Sequence, residues 1–233
     1  HLAGGRAADG ATVLKTQVTP GDDPTTVTAD LVLRDIGGAF SLTGKANVER
    51  RGEAANGGLA ANLGIWRAEA EIRGDAHAIE ATGLTVALGP EERAAQFTGH
   101  GRLTLGAEPN FDLALTARQI ELDRLVSGET GKTTVPAAIA AEAATLSVGV
   151  GDTPLPGRIR VDVQGLVVGG GAVQELALEA RTRPAGLVIE HFEARLPGRT
   201  RIEAAGRAAF AEGGRFDGRV EASAEQPAAA AAW

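Results

Sequence analysis

The chain has 233 residues, a formal net charge of −7 and neither cysteine nor methionine. The acidic balance argues against a nucleic-acid binder, which needs a basic stripe to neutralise phosphates, and the lack of Cys excludes disulfides and thiolate metal sites. Hydrophobic residues make up 43% of the chain but aromatics only 3%, so Ala, Val, Leu and Ile must fill the interior. Each buries little area, which calls for many strand pairings.

The dominant pattern is short runs of alternating apolar and polar residues separated by Gly, Pro, Asn and Asp, the signature of an all-β chain. In chain order the runs predict strands at 12–18, 26–33, 39–49, 59–74, 76–88, 95–105, 111–122, 146–150, 159–168, 173–181, 187–196, 200–209 and 215–223. Many exceed the roughly five to six residues of an average strand, which suggests an extended, curved sheet. Gly169-Gly170-Gly171, Arg183-Pro184-Ala185-Gly186 and Glu212-Gly213-Gly214 read as hairpin turns. Pro followed by strong helix formers predicts short helices over 135–145, with a strand beginning near Ala143 as the equal alternative, and from Pro227 onward.

Phe111, Leu113, Leu115 and Ala117 fall on one face of a strand, because successive side chains point to opposite faces. After a slip at Arg118-Gln119, the residues Ile120, Leu122 and Leu125 resume the apolar set. A bulge or bend produces such a slip. A Gly, one residue and a small residue recur at Gly44-Lys45-Ala46, Gly74-Asp75-Ala76, Gly99-His100-Gly101 and Gly206-Arg207-Ala208. Glycine inside a strand marks a bend, a bulge or a close backbone approach. Its recurrence suggests stacked β units, although ordinary punctuation of a Gly-rich chain gives the same pattern.

Catalytic chemistry finds little support. Gly128-Glu129-Thr130-Gly131-Lys132-Thr133-Thr134 looks like half a phosphate-binding loop, but Val126 stands where the first glycine belongs. The four histidines (His1, His77, His100, His191) form no set of three or four ligands. His191 shares a strand face with Glu193 and reads as a rim residue. Carboxylates are dispersed, few aromatics are available to stack on a sugar, and no serine lies in a Gly-x-Ser-x-Gly elbow.

From 97 to 233 the order of motifs resembles the AsmA family. Phe111–Leu125 is similar to its extended "F-D-L-x-L-x-A" strand followed by "L-D-L-D-R-L". Leu196-Pro197-Gly198-Arg199-Thr200 resembles an "L-P-G-G-T" turn, and Phe216-Asp217-Gly218-Arg219-Val220 with Ser223 resembles "F-x-G-x-L-x-x-S". Trp233 fits the place of a "W-L" helix end. Residues 1–96 share only the texture of these motifs.

The resemblance implies a mostly β fold: a long curved antiparallel sheet folded into a groove, with one or two short helices. It divides the chain into a β-rich segment over 1–96 and an AsmA-like C-terminal β region over 97–233, truncated at its end. It implies a periplasmic segment of a Gram-negative inner-membrane-anchored protein, with the anchor outside these residues, acting in phospholipid transfer and outer-membrane assembly. The expected ligand is a phospholipid or other lipid, with no cofactor, no metal, no nucleic acid and no enzymatic activity. Leu113, Leu115, Ile120, Val161, Val163, Leu176, Leu178, Leu187 and Ile189 are the candidate groove residues; simple core packing would use the same positions. The competing readings are a non-catalytic structural β-repeat and a carbohydrate-binding or carbohydrate-active β domain.

Overall fold

The computed structural model describes residues 2–6, 11–19, 24–51, 64–126, 155–183, 186–209 and 215–231. They form one open sheet of 13 strands in sequential order. The strands are β1 (Leu2–Arg6), β2 (Thr12–Val18), β3 (Thr25–Ile36), β4 (Ala39–Arg50), β5 (Trp66–Gly74), β6 (Ala78–Leu88) and β7 (Ala95–Thr104). They continue as β8 (Asn110–Glu121), β9 (Gly157–Val168), β10 (Gly171–Arg183), β11 (Gly186–Leu196), β12 (Thr200–Ala209) and β13 (Arg215–Ala224). Two short helices accompany them, α1 (Leu122–Val126) and α2 (Pro227–Ala231), with a single 3-10 turn at Glu91–Arg93.

The alternating runs become strands because each buries one face and leaves the other to solvent. β2 and β12 match their predicted spans residue for residue. β1, with its Leu-Ala-Gly-Gly-Arg sequence, was not predicted. The predicted strand at 146–150, the helix at 135–145 and residues 59–63 of the predicted 59–74 strand lie outside the described residues. A division near residue 96 would fall inside β7, which is hydrogen-bonded to β6 and β8 on its two sides.

Two corrections concern β8 and the segment after it. The strand ends at Glu121, and Leu122 and Leu125 belong to α1 instead of continuing the strand. Within one turn, an apolar pair three residues apart also suits a helix. In addition, β8 pairs with β9 in parallel, Phe111↔Gly157 through Glu121↔Val167, whereas the other described strand neighbours are antiparallel.

Turn chemistry fixes the hairpins. Gly37 and Gly38 (φ 65° and 84°) join β3 to β4, and Gly169 and Gly170 (φ 60° and 73°) join β9 to β10. Positive φ at both central residues gives the turn twist that suits a hairpin, and glycine reaches it without strain. Bulges bend the long ribbon. On β6 the register shifts between Ala81 and Leu84 around Gly83 (φ 58°). On β10 it shifts between Gln174 and Ala177 around Glu175 (φ 51°), and on β11 between Ile189 and Phe192.

Candidate functional site

The register joins the apolar residues of all 13 strands into one face. Leu14 pairs with Leu31, Leu31 with Gly44 and Gly44 with Ile72. Val86 pairs with Phe97, Leu115 with Val161 and Val161 with Leu178. Ile189 pairs with Gly206, and Gly206 with Gly218. Directly opposed residues share a face, so this is a continuous apolar surface running across the strands.

The opposite face is a lattice of charge. Lys15, Asp30, Lys45 and Glu71 are opposed in turn across β2 to β5. Arg102 reaches Glu80 at 2.6 Å, Arg160 reaches Asp112 at 2.8 Å and Arg181 reaches Glu190 at 2.9 Å. The hydrogen bond to Asp112 holds the Arg160 guanidinium above its ordinary pKa. Exposed pairs of this kind contribute little stability one by one, about 0–1 kcal/mol. Their effect is to keep one face wet and to oppose register slips. His191 belongs here as expected, exposed, with Nε2 3.8 Å from Glu193.

The sequence-predicted residues gather in one place. Leu113 opposes Ile159, Val163 opposes Leu176, and Ala180 opposes both Ile159 and Ile189. Leu178 and Leu187 lie on the same ladders, at Leu178↔Phe192 and Thr182↔Leu187. Ile120 and Val163 are buried, at 6% and 4% exposure; Leu113, Leu115, Val161, Leu176, Leu178, Leu187 and Ile189 are half-buried. Sequence reasoning passed over Val173, Ala180 and Ala194, which are at least as buried as Val163. Alternation marked the face, but the depth of a small side chain depends on its neighbours.

The slip at Arg118-Gln119 is part of a larger crease. In β8 the buried set steps from Ala117 to Ile120, in β9 from Val163 to Val168, and in β10 from Leu176 back to Val173. β8 stays in register with β9 through Gln119↔Gly165 and Ile120↔Leu166, so the slip there is a shared bend with no inserted residue. A concavity of about 660 Å³ follows this line, lined by Arg118, Asp162, Gln164 and Glu175 among others. By register, Asp162 lies opposite Thr116 and Ala177, on the polar side of the sheet, away from Val163. The lining of the concavity also takes in Val163, Leu166, Val173 and Leu176 of the apolar clusters.

One end of the apolar face is closed. Leu125 of α1, 1% exposed, packs with Ala95, Phe97, Ala117, Ile120 and Val163. Leu122 touches that cluster and a second one built on Val168, Val173 and Ala194. Asp123 braces the helix: its carboxylate accepts N–H bonds from Gly169 at 2.7 Å and Gly170 at 2.9 Å. α2 sits at the same end, where Gly198 carbonyl accepts the Gln226 N–H at 3.0 Å. Towards the last edge the face lies open, with Phe216 43% and Val220 58% exposed; Val18 near the first edge is 49% exposed.

Among the described residues no group of three or more His, Asp or Glu is placed to hold a metal ion. No described helix is long and apolar enough to cross a membrane. No family model, no curated protein and no solved structure matches the chain.

Proposed function

We propose that the apolar face is a lipid-binding surface and that the chain is a segment of an AsmA-like periplasmic protein. In this reading the parent protein is held at the inner membrane by residues outside this chain and serves phospholipid transfer and outer-membrane homeostasis. The observation that carries the reading is an apolar face that runs across 13 strands and, outside the two packed clusters, is largely half-buried or exposed. A lipid tail has no hydrogen-bonding groups, so its conduit needs only such a face, backed by a polar one. The reading of the family rests on the ordered motifs between 97 and 233.

A structural scaffold without ligand is the second reading. The two packed clusters around α1 favour it, because they fill that end with ordinary side-chain contacts. Native mass spectrometry with lipid extraction, alongside a fluorescent-phospholipid binding assay, separates the two. Co-purified phospholipid displaced by the fluorescent analogue is the expected result. A bare mass and no binding would leave the scaffold.

A further inference from the structure

We propose that the crease across β8, β9 and β10 is a binding site for a neutral saccharide; this does not rest on what the apolar face carries. In each of the three strands the apolar set steps over two adjacent residues: Arg118-Gln119, Gln164-Gly165 and Gln174-Glu175. Gln119 opposes Gly165, and Gly165 opposes Gln174, so two glutamines flank a glycine on one row. All six residues line the concavity of about 660 Å³, a volume within the roughly 300–1,000 Å³ of small-molecule sites.

Three observations at the crease point to a ligand. Gln119, Gln164 and Gln174 are three of the chain's six glutamines. Neither their side chains nor that of Arg118 are hydrogen-bonded to another described residue.

Gly165 is not demanded by its own backbone. Its φ lies outside the left-handed region, and a Cβ there would meet only the Arg118 carbonyl oxygen, at 3.6 Å, an ordinary contact. A glycine inside a strand weakens it and is found where a ligand or another backbone comes close. Here the missing side chain keeps the middle of the concavity open.

Glu175 is the reverse case, a residue with a side chain held in the left-handed region at φ 51°. Such strain persists only where the surroundings enforce it, and it gathers at binding sites. Arg195 enforces it with a fork of two hydrogen bonds to the carboxylate, at 2.9 and 3.0 Å.

The lining selects the ligand. Arg118 is balanced by Asp162, and Glu175 by Arg195, which favours neither a phosphate nor a cation. No aromatic side chain lines the concavity, so a flat ring has no platform. Each of the three strands is bonded on both sides, so a peptide cannot add there as a strand. A carboxamide both donates and accepts hydrogen bonds, as a sugar hydroxyl does, and neighbouring hydroxyls on one ring match a glutamine in pairs. Leu166 and Leu176 in the lining offer contact to the C–H surface of the ring. Without stacking, binding is weak and depends on the amides.

Nuclear magnetic resonance titration of the isotope-labelled protein with maltotriose and with triacetylchitotriose tests this. The expected result, with at least one of the two, is a saturable shift of the side-chain amide signals of Gln119, Gln164 and Gln174 and of the Gly165 backbone amide. Gln164→Ala with Gln174→Ala, both exposed positions, is expected to weaken binding roughly tenfold or more at an unchanged melting temperature. Gly165→Thr is expected to melt no lower than the parent, threonine being the better strand former, and to lose the shifts. A loss of binding in a protein that melts no lower cannot come from a folding defect. No saturable shift with either saccharide, shifts scattered away from the crease, shifts given by trialanine alone, or undiminished binding in both variants would each overturn the proposal.

Discussion

The middle of the sheet and its last edge share one sequence pattern and differ in what covers it. In β9 to β11, Val163, Val173, Ala180 and Ala194 are between 0% and 4% exposed; in β13, Val220 and Phe216 are 58% and 43% exposed. Both regions alternate apolar and polar residues, so alternation decides only which way a side chain points. Burial comes from a strand on each side and a lid. The middle has both, with α1 and Leu125 closing one end, whereas β13 has one neighbour and no described lid.

The largest effect expected from this contrast is a charge placed on each side of it. Val163→Asp puts a carboxylate among Ala117, Leu125 and Leu176 with no partner, and should cost about 3–5 kcal/mol. Val220→Asp should stay within about 0.5 kcal/mol. Urea unfolding of both variants measures the gap. Comparable losses would mean that Val220 is covered in solution.

Leu125→Ala comes next. It removes the most buried large side chain and leaves a cavity beneath the lid, at about 2–4 kcal/mol. If α1 is held mainly by this contact, the Gly169 and Gly170 amides should also lose their protection from hydrogen exchange, because Asp123 travels with the helix. Unchanged exchange at these two amides would show that the Asp123 brace holds α1 without Leu125.

These contrasts also mark how much was legible in the residues. The strands were, because long alternating runs bounded by Gly-Gly turns have few other solutions. The face of Leu113, Leu115, Val161 and Val163 was legible for the same reason. β1 was not, since Leu-Ala-Gly-Gly-Arg has no alternation and becomes a strand by pairing with β2. α1 was misread because Leu122 and Leu125 fit a strand with one slip as well as a single helical turn. The parallel pairing of β8 with β9 was not legible either, since no residue within either strand encodes its direction. The lipid role proposed for the face comes from resemblance; alternation alone describes any half-buried sheet.

The recurring glycines sharpen the comparison at single-residue scale. On the apolar side of β7, a Cβ at Gly99 would collide with the Ala114 carbonyl oxygen, whereas at Gly101 the nearest atom is 3.6 Å away on Leu113. The strands approach so closely at Gly99 that no side chain fits, which is one reason glycine recurs in strands that curve. Gly99→Ala should therefore cost about 1–3 kcal/mol. Gly101→Ala should be neutral or stabilise by up to about 1 kcal/mol by restricting the unfolded chain. Equal thermal shifts in the two variants would remove close approach as the explanation.

The smallest effect concerns the end of the sheet opposite α1. There Asp75 uses the same device as Asp123, a carboxylate accepting two backbone N–H groups, from His77 at 2.7 Å and Ala78 at 2.9 Å. These bonds hold its carboxyl below its ordinary pKa of 3.8. A group whose pKa is depressed by folding stabilises the fold above its unfolded value, and that contribution is lost as pH falls through the folded value. Asp75→Asn keeps an acceptor oxygen but removes the charge. It should melt slightly below the parent at neutral pH, and the difference should vanish on acidification below the folded pKa of Asp75. A difference that persists there would mean that the shape of the side chain, and not its charge, secures the β5–β6 turn.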